Sequence, residues 1–295
     1  MKIIDCTTYY SEDLMMDIRF HILNDHVDKF IVTESKYSHS GKLKPLNFNI
    51  NNFSKFKDKI EYLVIENEPE GIVENLNNLS SIKRMNSILR IEQSYDFMLN
   101  ALTNVNDDDL ICLSDNDEIP NFNSEEFKNS KNNIFIFKQL FFYYKFNLYY
   151  DLMPWYGTKA CKKKILSSLS WLRNLKNKKY PWWRLDTFFS KTKHTNLKII
   201  KDGGWHFTNI KSAEDIYTKL TNFGHHNEFD LSGLTIENIQ ESIDNRIVNY
   251  NHKADQSEDN KYNANYKLQV MGDHILPIYL IENKEKFKDW FDYSK

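Results

Sequence analysis

The sequence contains the segment Asp107-Asp108-Asp109-Leu110-Ile111-Cys112-Leu113-Ser114-Asp115-Asn116-Asp117-Glu118-Ile119-Pro120, in which a short apolar run leads into an acidic turn. A short apolar run closed by turn residues is typical of a buried strand. The acidic turn is therefore expected where a strand of an α/β sheet ends, which is where open α/β sheets bind ligands. Asp115 and Asp117 lie two residues apart, so a strictly extended chain would point both side chains the same way. Two carboxylates in this arrangement suit Mg²⁺ or Mn²⁺, which in turn holds phosphate groups.

The pattern of apolar residues predicts that strands and helices alternate along the first half of the chain. Strands are predicted at 2–6, 27–34, 61–65 and 110–113, and helices at 12–23 and 82–102. Residues 133–144 predict one long aromatic strand, and residues 162–179 predict a basic helix or surface loop. This alternation indicates the α/β class, with a mostly parallel central sheet flanked by helices and a C-terminal helical elaboration.

Composition limits the classes of function. The 295 residues are 41% hydrophobic and 27% charged, as in globular proteins. The net charge of −2 argues against a nucleic-acid partner, which would require a clustered basic excess. Three scattered cysteines fit neither a disulfide framework nor a zinc site and favour a reducing compartment. With no signal peptide and no transmembrane segment in the sequence, we expect a cytoplasmic protein and leave peripheral membrane association open.

The segment Ser114–Pro120 resembles the signature of glycosyltransferase family 17, the family of the β-1,4-N-acetylglucosaminyltransferase that adds bisecting GlcNAc to N-glycans. Further resemblance lies in Ile4-Asp5-Cys6, in Val27-Asp28-Lys29-Phe30 and in Ser40-Gly41-Lys42-Leu43-Lys44-Pro45-Leu46. One departure lies in the helix before the acidic turn, where the family usually shows Gln-Arg but Gln93 is followed by Ser94 here.

The resemblance implies a GT-A-type fold in one catalytic domain, 1–295. Residues 1–125 would form the nucleotide-sugar-binding half, and 126–295 the acceptor-binding half with the C-terminal helices. It also implies a metal-dependent inverting transfer of N-acetylglucosamine, or a related sugar, from a UDP-sugar to a glycan or glycoconjugate. Two alternatives are another donor (UDP-glucose, UDP-galactose or GDP-mannose) and a non-catalytic carbohydrate-binding protein.

Asp115 and Asp117 are the predicted metal-site pair. By resemblance to the second Asp of the Asp-X-Asp motif, Asp117 is expected to be the direct ligand of Mn²⁺ or Mg²⁺. Glu118 is predicted to orient Asp117 or to bind the donor sugar. The alternative for Glu118 is a turn residue that satisfies backbone amides.

A second candidate segment is Gly203-Gly204-Trp205-His206-Phe207, which also resembles a family 17 segment. The two glycines would allow the backbone to approach a ligand closely. His206 is predicted to ligate the metal, with a structural histidine as the alternative. Trp205 is predicted to stack on a sugar, or simply to pack.

The catalytic base is expected to be a carboxylate, or a histidine, that takes a proton from the acceptor hydroxyl. Glu228 is the first candidate and Glu34 the second. His226-Asn227-Glu228-Phe229, together with Lys219-Leu220, also resembles a family 17 segment, and His226 is a predicted sugar contact. The alternative is that Glu228 caps a helix or pairs with Lys219.

Three basic residues are predicted to bind the donor diphosphate. Lys42 and Lys44 follow the second predicted strand, at the ligand end of the sheet. Arg184 lies in an aromatic loop after Trp182-Trp183. For the two lysines, the alternative is a solvated basic loop.

Overall fold

A computed structural model describes residues 1–73, 79–181, 183–223, 229–230, 232–252 and 261–293, without the side chains of residues 79, 80 and 188. The strands are β1 (Ile3–Thr8), β2 (Lys29–Ser35), β3 (Ile60–Ile65), β4 (Leu110–Ser114), β5 (Glu118–Pro120), β6 (Ile134–Phe137), β7 (Leu140–Tyr143), β8 (Leu148–Tyr149), β9 (Lys159–Lys162), β10 (Leu197–Ile200), β11 (Gly204–Thr208), β12 (Ile247–Val248), β13 (Tyr266–Lys267) and β14 (Gln269–Val270). The α-helices are α1 (Asp13–Leu23), α2 (Leu79–Asp96), α3 (Glu125–Lys128), α4 (Leu169–Arg173), α5 (Asp186–Phe189), α6 (Ala213–Leu220), α7 (Ile236–Asp244) and α8 (Ile278–Glu282). Short 3₁₀ segments lie at Ile50–Lys59, Phe97–Leu102, Lys163–Ile165, Asp273–Ile275 and Lys288–Trp290.

The central sheet has seven strands in the order β10-β6-β9-β4-β1-β2-β3. The strands β4, β1, β2 and β3 are parallel neighbours, as the alternating pattern predicted. The prediction of a mostly parallel sheet is nevertheless wrong, because β9 runs antiparallel to both β4 and β6. Strand β9 ends at Lys162, the first residue of the basic stretch 162–179 that the sequence predicted as a helix or loop. The sheet is therefore mixed.

The aromatic run at 133–144 is two strands rather than one. It breaks at Lys138-Gln139, so that β6 joins the central sheet while β7 joins a second sheet of order β14-β8-β7-β11-β5. In that second sheet β7 and β11 are parallel, and the other pairs are antiparallel. The two sheets thus share one continuous piece of chain, and β5 brings the end of the acidic turn to the edge of the second sheet.

The central sheet is buried on both faces. Along β2, Phe30 and Val32 pack in one hydrophobic cluster with α1, and Ile31 between them packs in a second cluster on the opposite face. Successive side chains of a strand point to opposite faces, so a strand covered on both sides reads as a continuous apolar run. This explains why the central strands were recognisable in the sequence.

The C-terminal part is less helical than predicted, because β12, β13 and β14 accompany α6, α7 and α8. Among the described residues, the helices are too short or too polar to cross a membrane. Cys6, Cys112 and Cys161 are free and buried, and burial raises the pKa of each thiol.

Candidate active site

A tight turn joins β4 to β5 and carries the acidic residues. The backbone N–H of Glu118 donates to the carbonyl of Asp115 over 3.0 Å, so this part of the chain is not extended. Asp115 and Asp117 nevertheless both line the same two clefts. The turn lies at the carboxyl end of β4, the position that the sequence predicted for it.

Arg19 of α1 binds the backbone of this turn. Its guanidinium is fully buried and forms a two-point contact with Asp5 of β1, at 2.8 and 2.5 Å. The same guanidinium donates to the carbonyl of Glu118 at 2.6 Å and to that of Asp115 at 3.3 Å. A bidentate arginine–carboxylate pair has a fixed geometry. Arg19 therefore fixes the turn to the first βαβ unit.

Glu118 is fully buried and paired with Arg173 of α4. Arg173 Nη1 lies 2.7 Å from Oε2, and Nη2 lies 2.9 Å from Oε1, which also accepts from Trp155 Nε1 at 2.7 Å. Burial disfavours the charged form of Glu118, but Arg173 outweighs it and lowers the pKa. A Cβ at residue Gly157 would lie 2.0 Å from Oε1, so glycine is required for this approach. The geometry favours the turn-residue alternative for Glu118 over donor binding.

The carboxylate of Asp115 is also bound by side chains of the protein. Its Oδ2 accepts from Arg173 Nη2 at 2.7 Å, and its Oδ1 accepts from the Tyr95 hydroxyl at 2.8 Å. Burial, and then the charge of Asp115, raise the pKa of Tyr95, so its hydroxyl remains a donor. Arg173 therefore pairs with Asp115 and Glu118 together and offsets one of their two negative charges, and both carboxylate oxygens of Asp115 already accept a hydrogen bond.

Asp117 has looser contacts. Lys219 Nζ of α6 lies 3.5 Å from Oδ2, and His206 Nε2 of β11 lies 3.5 Å from Oδ1. Both separations are long for hydrogen bonds. Burial opposes ionisation of Asp117, but Lys219 and His206 outweigh it and lower the pKa. Asp117 is thus an ionised carboxylate that can still accept a ligand.

His206 is 5% exposed and stacks between two aromatic rings. Its ring centroid lies 4.4 Å from that of Trp155 and 4.6 Å from that of Phe141. The stack directs Nε2 toward Asp117, while Nδ1 is buried without a hydrogen-bond partner. Leaving an unprotonated Nδ1 without a partner costs less free energy than leaving an Nδ1–H without an acceptor. This favours the tautomer of His206 with the proton on Nε2.

A divalent metal fits at Asp117. The described residues contain no group of three or more His, Cys, Asp or Glu side chains arranged to hold a metal ion by themselves. Mg²⁺ and similar ions are, however, commonly held by one or two carboxylates, with substrate phosphates and water completing the shell. The ionised Asp117 would supply such a carboxylate, and His206 would reach the same position only as the other tautomer.

Two clefts meet at the turn, and Asp115, Asp117 and Lys219 line both of them. The first cleft, of about 300 Å³, opens beside the carboxyl ends of β1 and β2. Its lining includes Thr8, Tyr10, Glu12, Tyr37, Lys44 and Tyr95. The second cleft, of about 360 Å³, is strongly aromatic. Its lining includes Tyr143, Trp155, Arg173, His206, Tyr250 and His252.

Glu34 is fully buried at the end of β2. Its carboxylate accepts from the backbone N–H groups of Asn47 and Phe48, at 2.9 and 3.0 Å, and from the Tyr62 hydroxyl at 2.8 Å. It also pairs with Lys44. Both carboxylate oxygens of Glu34 therefore already accept hydrogen bonds from the protein. This arrangement suits a residue that fixes the 44–48 loop against the sheet, not one that takes a proton from a substrate.

The two lysines predicted to bind the donor lie in different places in the structure. Lys44 lines the first cleft, although its ammonium group is paired with Glu34. Lys42 is exposed and lines neither of the two clefts. For Lys42 the solvated-loop alternative describes the geometry better.

Arg184 and Trp205 also lie away from the two clefts. Arg184 is exposed and pairs with Asp186 at 2.6 Å. Trp205 packs against the core and donates from Nε1 to the carbonyl of Ile275 at 2.7 Å, which matches the packing alternative. A Cβ at residue Gly204, where φ is +104°, would lie 2.2 Å from the carbonyl oxygen of Ile119. Gly204 therefore allows strand pairing with β5, not approach of a ligand.

Glu228 and His226 lie outside the described residues, so their predicted roles as base and sugar contact remain predictions. The chain on either side of them carries Lys219 and Phe229, both of which are placed. Lys219 and Phe223 line both clefts.

Arg173 and Lys219 are site residues that the sequence did not predict. Arg173 lies in the basic stretch at 162–179, and no local pattern distinguished it from the neighbouring lysines. Lys219 was noted in a segment that resembles family 17 and as a partner of Glu228, but no site role was predicted for it. The sequence does indicate that cations must lie near the acidic turn, because three carboxylates in four residues need compensating positive charge. The residues that supply this charge, however, are 55 or more positions away along the chain.

The comparisons with known proteins identify the family of this chain. The sequence model of glycosyltransferase family 17 matches residues 1–291. The human β-1,4-mannosyl-glycoprotein 4-β-N-acetylglucosaminyltransferase is 28% identical over 127 residues, which cover 40% of this chain and 22% of the human protein. The rat protein of the same name matches with the same identity and coverage. The chain thus matches about a fifth of the length of these curated relatives.

Among solved structures, the inositol-1-phosphate CTP transferase from T. maritima aligns with 56% of this chain and 72% of its own. The TM-score is 0.28 and the sequence identity is 12%, values too low to support an argument about fold or function. The match of the family over nearly the whole sequence is what counts, and it shows that this chain belongs to glycosyltransferase family 17 and is a glycosyltransferase.

Proposed function

We propose that the protein is a GT-A-type, inverting and metal-dependent transferase that moves N-acetylglucosamine, or a related sugar, from a UDP-sugar to a glycan. The observation that carries the proposal is the meeting of the two clefts at Asp117. One cleft lies at the carboxyl end of the parallel strands, where α/β sheets bind nucleotides. The other is aromatic, as sugar-binding surfaces often are. A donor and an acceptor held in these clefts would meet at the acidic turn.

The residues at this junction suit a diphosphate leaving group. A divalent metal held by Asp117 would neutralise the charge that develops on the diphosphate. Lys219, whose ammonium group borders both clefts, would add a point charge for a phosphate oxygen. Arg173 reduces the repulsion of the diphosphate by Asp115 and Glu118, because it pairs with both carboxylates. Arg19 holds the turn in place.

The direct test is release of UDP by purified protein. UDP-GlcNAc, UDP-glucose, UDP-galactose and GDP-mannose would each be supplied with Mn²⁺, with Mg²⁺ or with EDTA. We expect the fastest nucleotide release from UDP-GlcNAc and a loss of release in EDTA that Mn²⁺ restores. A faster reaction with another donor would reassign the sugar, and full activity in EDTA would reject the metal.

The identity of the base gives a separate prediction. Glu228→Gln is expected to keep donor affinity and to lower the transfer rate by about 10²–10⁴, the usual contribution of a general base. Glu34→Gln is the comparison. Because its amide nitrogen would face groups that now donate to Glu34, it should lose about 1–3 kcal/mol of unfolding free energy and keep most of its activity per folded molecule.

Calorimetric donor binding, initial rates and urea melts on the same preparations would distinguish these outcomes. A rate collapse in Glu34→Gln, with normal stability and an unchanged rate in Glu228→Gln, would assign the base to Glu34. If neither change lowers the rate, the base is a different residue.

A further inference from the structure

A basic loop, residues 174–196, connects α4 to β10 and includes the short helix α5. It contains six basic residues and one acidic residue, a net charge of +5, in a chain whose net charge is −2. The acidic residue, Asp186, already pairs with Arg184 and Lys193 at 2.6 and 2.7 Å. Lys176, Lys178, Lys179 and Lys191 are all exposed. The positive charge of this loop therefore faces solvent.

Hydrogen bonds join the two arms of the basic loop, residues 174–180 and 190–196. Trp171 Nε1, just before the loop, donates to the carbonyl of Lys191 at 2.5 Å. The backbone N–H of Lys176 donates to the carbonyl of Thr192 at 3.0 Å, and that of Tyr180 to the carbonyl of His194 at 3.4 Å. Leu175 and Tyr180 are buried and anchor the first arm. The loop thus has a fixed base and a tip between residues 181 and 189.

The tip exposes large apolar side chains. Trp183 is 67% exposed, Leu185 74% and Phe189 90%. Single exposed apolar residues are ordinary on a protein surface, but three within seven positions concentrate exposed apolar side chains at one tip, as interaction sites do. Exposed Trp, Leu and Phe next to lysines are the combination that binds the interface of a bilayer, where apolar side chains enter the acyl boundary and lysines meet lipid phosphates.

We propose that the basic loop docks the protein on an anionic lipid bilayer. The tip residues Trp183, Leu185 and Phe189 enter the interface, and the lysines of the arms lie against the headgroups. The charge is complementary to anionic lipid, and the exposed aliphatic Leu185 favours a hydrocarbon boundary over a nucleic acid, which would call for stacking aromatic rings and arginines. This inference does not depend on the identity of the sugar donor.

The loop starts at the site itself. Arg173, the last residue of α4, pairs with Asp115 and Glu118 and lines the aromatic cleft. The residues that follow it enter the basic loop directly. A docked loop would therefore tether the chain to the bilayer immediately next to a residue of the cleft.

The test is sedimentation of the full chain with vesicles. Vesicles of phosphatidylcholine alone would be compared with vesicles containing about 30 mol% phosphatidylglycerol, at low and high salt. Each lysine near an anionic surface contributes about 1 kcal/mol, or about fivefold in binding. We therefore expect Lys178→Glu/Lys179→Glu to bind anionic vesicles at least about tenfold more weakly, and high salt to weaken the parent in the same direction.

Matched variants separate the loop from general charge and apolarity. Lys55→Glu/Lys57→Glu changes the net charge equally at two exposed lysines of another segment and should bind like the parent. Trp183→Ser/Leu185→Ser/Phe189→Ser should lose binding at least about tenfold, while Ile278→Ser, at another exposed apolar residue, should not. Thermal melting would verify that each variant is folded.

Three results would overturn the proposal. The first is failure of the parent to sediment with anionic vesicles. The second is equal binding by the loop variants and their controls. The third is loop-dependent binding to RNA or to an acidic protein without binding to vesicles, which would assign the basic loop to a different partner.

Discussion

Asp117→Ala is expected to lower the rate of sugar transfer by at least about a thousandfold, which corresponds to about 4 kcal/mol of transition-state stabilisation, and to leave the protein folded. Asp117 is the acidic residue of the turn whose carboxylate oxygens have only long contacts, at 3.5 Å. Its loss would remove the proposed metal ligand and the counter-charge of Lys219. Stability should change little, because Asp115 and Glu118 keep their contacts with Arg173.

The control for this change is Asp108→Ala. Asp108 precedes the same strand at its other end, its side chain is 70% exposed, and it pairs with Lys164 at 2.8 Å. Rates at saturating Mn²⁺ and the Mn²⁺ concentration at half-maximal rate would be measured for both variants. Activity of Asp117→Ala within about tenfold of the parent would refute the role of Asp117 in the chemistry, whatever the donor.

Arg19→Met is expected to reduce the free energy of unfolding by about 3–5 kcal/mol, because it leaves the buried carboxylate of Asp5 without its partner. Both side chains of this pair are fully buried. Arg19 also donates to the carbonyls of Asp115 and Glu118, so the acidic turn should lose its anchor. We therefore expect a loss of activity beyond the loss of folded protein.

A double variant separates the two effects. Arg19→Met/Asp5→Leu replaces the ion pair by apolar groups, which often restores stability at such sites. We expect most of the unfolding free energy to return while transfer stays at least about tenfold below the parent, since the turn carbonyls still lack a donor. Lys286→Met is the comparison, as its pair with Asp17 is at the surface and should contribute less than about 1 kcal/mol. Full activity in the double variant would show that Arg19 matters for folding alone.

The central strands and the acidic turn were predictable from local sequence. The apolar run Leu110–Leu113 is buried on both sheet faces, and the polar residues after it end the strand. Both signals lie within a few residues of each other, so no tertiary information was needed. Antiparallel β9 was not predictable in the same way, because the four residues Lys159–Lys162 carry lysines at both ends and resemble a surface segment.

The roles of individual charged residues required the tertiary structure. Glu34, Asp115, Asp117 and Glu118 are chemically similar, and the sequence assigned all four to metal, donor or base. The structure separates them by their partners: Glu34 has four donors from the 44–62 region, Glu118 and Asp115 share Arg173, and Asp117 has long contacts only. The predicted Arg184, Lys42 and Trp205 lie away from both clefts.

The sequence by itself therefore determined the family, the parallel core of the sheet and the strand end where the site lies. It could do so because apolar burial and turn chemistry are written in adjacent residues. The tertiary structure alone decided which carboxylate stays available to a ligand. That outcome depends on cations such as Arg173 and Lys219, which the fold brings to the turn from 55 and 102 residues away, and distance along the chain carries no signal of such pairing.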